Sequence, residues 1–164
     1  MEVGKTTEQF GSQNPHKNKV HKILAHSYLF YFISFLAGLF LDFVFPLRIF
    51  KSSASLSIGT IFLILGTFLI LWAQKSSLNL QKEKENINKE RFFHGPYRYT
   101  RSPTHFGLFL LILGFGIITN SLFVVIFSIV SFFITKFIFI KEEERILAEK
   151  YGTPYLEYKK SVKF

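Results

Sequence analysis

His94-Gly95-Pro96-Tyr97-Arg98-Tyr99-Thr100-Arg101-Ser102-Pro103-Thr104-His105-Phe106-Gly107 joins a polar, charge-rich stretch to an almost unbroken apolar run from Phe106 to Ile140. Pro96 after Gly95 marks a turn. Ser102 before Pro103 reads as a helix start, with serine as N-cap and proline at the first helical position, where its missing N–H costs nothing. A helix beginning there brings free N–H groups and a partial positive charge to the edge of an apolar segment. Such an end can hold a carboxylate or phosphate. The same residues also suit a basic, aromatic anchor at a membrane interface. On this stretch alone both readings stand.

Downstream, Phe106 to Thr119 is apolar, Asn120-Ser121 is a turn, and Leu122 to Ile140 returns. At ~1.5 Å per residue the first arm reaches about two thirds of a hydrocarbon core and the second crosses it. Spans at about 104–119 and 121–140 therefore form a helical hairpin. Lys136 is the one ionisable residue inside it, near enough to the end to snorkel. From Lys141 the pattern becomes charged without a breaker, so the last helix continues out of the apolar layer. Gly152 and Pro154 end it. Tyr155, Tyr158 and Val162 then recur at helical spacing, predicting a short amphipathic helix on the membrane surface or on the loop before the hairpin.

Upstream, Gln74 to Arg101 is the longest polar connection and is rich in lysine and arginine. Before it come two more apolar spans, at about 23–45 and 56–73. Gly59 and Gly66, seven apart on one face of the second, suit a close helix neighbour. Residues 1–22 are polar and carry Lys5, Lys17, Lys19 and Lys22, as a disordered tail does. The expected fold is an all-α integral membrane protein with about four membrane helices, the last two a hairpin. A domain over 23–164 follows the tail, with a loop at 74–103 and further helices over 141–163. The cation excess places the N-terminus, the loop and the C-terminus on the cytoplasmic side, of the inner membrane if the cell is bacterial.

Composition narrows the function. Hydrophobic residues make up 49% of 164, with 22 phenylalanines, and their clustering selects the membrane class. The net charge of +9 flanks the spans and forms no basic face, so nucleic acid is not an expected partner. The absence of cysteine excludes disulfides and thiolate chemistry. The five histidines fall into no zinc-like spacing, and no Gly-x-Gly-x-x-Gly follows a strand pattern.

Two motifs flank the hairpin: Gly95-Pro96-Tyr97-x-Tyr99-x-Arg101-x-Pro103-x-x-x-Gly107, and Glu143-Glu144-x-x-Leu147-x-x-x-Tyr151-Gly152-x-x-Tyr155-x-x-Tyr158. Together, over residues 81–164, they resemble the superfamily of isoprenylcysteine carboxyl methyltransferases and phospholipid methyltransferases, which are integral membrane enzymes. The resemblance implies methyl transfer from S-adenosylmethionine to a lipophilic acceptor: the carboxylate, amine or thiol of a lipid or prenylated molecule. It implies cofactor contacts at Arg91, Phe92, Tyr97, Ser102, Pro103, Thr104, His105 and Glu143. Arg101, Lys136 and Glu144 are the candidate catalytic residues, and no metal is expected. The chain departs from the family in having Ser102 for a histidine and His105 for a tyrosine. It also has Phe139 where carboxyl-methylating members carry arginine; Lys136, two turns before Glu143 on the same helix face, is the candidate substitute, less suited to bidentate geometry. Two other classes compete: an NADPH-dependent membrane reductase of the sterol-reductase type, and a non-enzymatic small membrane protein or transporter.

Overall fold

Away from water every backbone N–H and C=O must bond within its own segment, so a long apolar run becomes helix. A computed structural model describes residues 15–49, 54–82 and 93–162. Within these residues six α-helices follow in order: α1 Pro15–Val44, α2 Ala54–Lys82, α3 Pro103–Ile118, α4 Leu122–Phe137, α5 Phe139–Tyr151 and α6 Thr153–Ser161. A 3-10 turn, Gly95–Arg98, precedes α3. The fold is all-α, as the sequence implies.

Among the described residues three stretches are long and apolar enough to cross a membrane: Lys22–Val44, Ala54–Ser77, and Leu122–Tyr151, which runs from α4 into α5, where the sequence turns charged from Lys141. α3 has 16 residues and is the short apolar arm that its sequence implies. The hairpin closes at Asn120, whose positive φ of 55° suits an asparagine in a tight turn. Its side-chain oxygen accepts from the Ile49 N–H at 2.9 Å, which ties the α1–α2 connection to the same end of the bundle.

The helices begin and end differently from the apolar pattern. α1 starts at Pro15, inside the expected tail, and α2 runs to Lys82, well past Ala73. Polar residues continue a helix in water when no breaker stops them, so hydropathy marks the span and not the helix. Residues 1–14, the start of the expected tail, lie outside the described residues. The expected continuous last helix is interrupted at Ile138 (φ −106°, ψ −65°), where α4 ends and α5 begins. No proline or glycine causes the break. It accompanies the packing of α5 on α1, where the Phe30 and Phe139 rings lie 5.9 Å apart.

α2 and α3 form the most extensive helix pair. A Cβ on Gly66 would sit 2.8 Å from the Gly107 carbonyl oxygen, and one on Gly114 2.9 Å from that of Gly59. These glycines let two backbones touch, which is the close neighbour expected for Gly59 and Gly66. α1 packs on α4, whose buried face carries Val124, Ser128, Ser131 and Thr135. α6 lies on the turn before α3: Tyr155, Tyr158 and Val162 pack against Phe93 and Tyr97. Of its two expected placements, the loop is the one observed.

Candidate functional site

The turn before α3 is held by α2 below and α6 above. Gly95 has φ +61°, and a Cβ there would collide with Ser76 Oγ and approach Trp72 Nε1 to 3.1 Å. Only glycine lets the turn settle on the end of α2. From above, the Tyr158 hydroxyl donates to the Tyr97 carbonyl at 2.6 Å, and the Phe93 ring meets Tyr158 edge-on at 5.3 Å. Burial raises the Tyr158 phenol, so it remains a neutral donor.

Tyr97 points into this frame. Burial pushes its phenol up to about 12, the nearby Glu143 charge adds to that, and hydrogen bonding with Ser77 and Thr104 opposes it. α2, the turn, the start of α3 and α5 thus meet at one side chain. Ser102 is the N-cap and Pro103 opens the helix, but the Ser102 side chain makes no cap bond. The first-turn N–H groups of Thr104 and His105 are therefore not closed off by a serine oxygen.

His105 is 2% exposed. Ser27 Oγ donates to the Leu24 carbonyl at 2.8 Å and lies 3.0 Å from His105 Nε2. With its hydrogen spent on Leu24, Ser27 accepts from His105, which leaves Nδ1 as the acceptor nitrogen of a neutral ring. Nδ1 faces Glu143 Oε2 at 4.0 Å, and the Tyr28 ring centre is 6.0 Å from that of His105. Burial, with the charge of Glu144 second, pushes the Glu143 carboxyl up to about 7.

Glu144 is built in differently. It is 6% exposed and bridges Arg101 Nη1 and Lys159 Nζ, each at 2.8 Å. The bridge ties the turn to α5 and α6. Arg101 Nε is buried without a hydrogen-bond partner.

Two cavities flank the start of α3. One, of about 630 Å³, lies among α1, α2 and α3; its walls are mostly apolar, and Tyr28, Tyr31, Gln74 and Thr104 supply its polar groups. The other, of about 520 Å³, lies between α3 and α4–α5 and is bordered by Arg101, Ser102, His105, Lys136 and Glu144.

Among the expected cofactor residues, Tyr97, Thr104, His105 and Glu143 converge, with Pro103 buried at the head of α3. Ser102 and His105 border the second cavity, with Arg101, Lys136 and Glu144. Arg91 and Phe92 lie outside the described residues. Ser27 and Tyr28 of α1 and Ser77 of α2 were not anticipated. Nothing in their local sequence distinguishes them from other polar residues near a span end.

A family model described as phospholipid methyltransferase matches residues 54–154, more than half of the chain. No curated protein and no solved structure matches it.

Proposed function

The chain belongs to the phospholipid methyltransferase family, and from that premise we propose that it uses S-adenosylmethionine at the Tyr97–Thr104–His105–Glu143 cluster to methylate a lipophilic acceptor. The family makes it a membrane methyltransferase; the cofactor, its site and the acceptor class are our reading. The match favours methyl transfer over the reductase and transporter alternatives.

The residues present fit the cofactor. Its carboxylate suits the first-turn N–H groups of α3 that Ser102 does not cap. Its ammonium suits Glu143, a shielded carboxyl beside a second acid. Bound there, the cofactor supplies a methyl group activated by a sulfonium.

The chain's part is positioning and exclusion of water. Tyr97, braced by α2 and α6, covers the cluster, and neutral His105 holds its ring between Ser27 and Glu143. The cavity of about 630 Å³ admits an apolar acceptor sideways between α1, α2 and α3, with Thr104 at the edge it shares with the cluster. Holding the acceptor atom close and in line is the main catalytic contribution expected.

The convergence of Glu143, His105 and Tyr97 on the head of α3 carries this reading. Calorimetry of the detergent-purified protein tests it. Glu143→Ala is expected to weaken S-adenosylmethionine about 10- to 100-fold, the worth of a charge-assisted bond. Glu142→Ala, at an exposed residue that pairs with Arg145, leaves the affinity unchanged. Equal affinity for Glu143→Ala and wild type would overturn the site.

A further inference from the structure

The second cavity is chemically unlike the first. Arg101, Lys136, Lys141 and Lys159 line it against a single carboxylate, Glu144. Over these five side chains the formal sum is three positive charges. Phe106, Phe132 and Phe137 form an aromatic wall, with Phe106 and Phe132 in ring contact at 6.0 Å, and Ser102 and His105 border the cavity at the head of α3. Phe106 is in the first turn of α3, and Phe132 and Phe137 are in the last two turns of α4. The cations sit at their ends, in the turn before α3, the last turn of α4, α5 and α6. The cavity is thus greasy along one part and cationic at the other, and Arg101 leaves its buried Nε without a partner beside it.

We propose that this groove binds an anionic phosphate-headed lipid as a non-reacting ligand, its phosphate among Arg101, Lys136 and Lys141 and its upper chain against Phe106, Phe132 and Phe137. Charge complementarity selects the head, because a zwitterionic lipid leaves the groove's excess charge uncompensated. The apolar wall selects an amphiphile over a free anion. The volume of about 520 Å³ suits a headgroup and the start of its chains. α3 separates this groove from the apolar cavity assigned to the acceptor, and no residue lines both. Ser102 and His105 border this groove and also belong to the proposed cofactor site, but lipid binding is read without methyl donor or turnover, so its outcome is distinguishable from that of the proposed activity.

Native mass spectrometry of the detergent-solubilised full chain, with phosphatidylglycerol and phosphatidylcholine titrated in parallel, tests it. Phosphatidylglycerol is expected to bind about tenfold tighter. The Lys136→Gln/Lys141→Gln double variant loses that preference. Lys136→Arg/Lys141→Arg keeps it, as does Lys150→Gln/Lys160→Gln, whose lysines lie outside the groove. Equal affinity for the two lipids, or an unchanged preference in Lys136→Gln/Lys141→Gln, overturns the site. Inorganic phosphate competing as well as the lipid, mole for mole, overturns the amphiphile. Wild-type protein alone supplies a second measurement, should the glutamine variant not fold. A phosphatidylglycerol with a photoactivatable acyl chain is expected to label peptides of α3 and α4. Labelling confined to α1 and α2 would place the lipid elsewhere and overturn the assignment.

Discussion

Glu143 and Glu144 are adjacent in sequence and opposite in setting. Glu144 has two cations at 2.8 Å and serves as a tie; Glu143 faces a neutral histidine and a phenol, with its proton held until about pH 7. Only the ionised form of Glu143 holds an ammonium. Cofactor affinity is therefore expected to rise by up to about tenfold from pH 6 to pH 8, as the carboxyl ionises through a pKa near 7. The cofactor's own amino group titrates in the same range, so the informative quantity is wild type minus Glu143→Gln, measured by calorimetry across that range. A difference that is flat with pH would remove Glu143 from the ammonium. Glu144→Gln leaves a guanidinium facing a neutral amide and is expected to cost about 2–3 kcal/mol of stability, read from thermal unfolding in detergent. The paired-acid motif was legible in the sequence. Which acid is tied and which is held near neutrality was not, because that depends on Arg101 and Lys159 reaching Glu144 from the turn and α6, and on the packing that buries Glu143.

At the scale of elements, α3 carries the site and α2 sets where α3 lies. The Gly66 contact is with the Gly107 carbonyl and the Leu111 N–H, at 2.8 and 3.0 Å from a would-be Cβ. Backbone atoms have no rotamer to move aside. Gly66→Val is expected to push the helices apart at a cost of about 1–3 kcal/mol. It also weakens the cofactor, because Thr104 and His105 travel with α3. A melting curve and a binding isotherm on one preparation check both effects; a drop in stability with unchanged affinity would mean that the head of α3 is held by its turn alone. The seven-residue glycine spacing announced a close neighbour, but not that the neighbour would be α3. The tyrosine spacing of α6 announced a helix with one committed face. Its seat on Phe93 and Tyr97 needed the turn at Gly152, whose φ of +62° reverses the chain.

At the scale of the whole molecule, a route for a water-insoluble acceptor has to open sideways among helices. The cavity among α1, α2 and α3 is such a route, and Ile112 stands on its wall. Ile112→Trp is expected to raise KM for the acceptor several-fold and leave cofactor affinity unchanged, as steady-state kinetics with a lipophilic acceptor would show. A fall in cofactor affinity with KM constant would put the acceptor elsewhere. The family match begins at residue 54, so α1 lies outside it, yet α1 supplies Ser27, Tyr28 and one wall of this cavity. The sequence by itself determined the membrane class, the helices, the hairpin and the two motifs, because hydropathy, breakers and backbone hydrogen bonding act within a few turns of chain. Only the tertiary structure decided that Ser27 meets His105 across 78 residues, that α6 covers Tyr97, and that two cavities of opposite character flank one helix. Those facts come from how helices pack, and in a chain whose spans are largely apolar many packings satisfy the same local pattern.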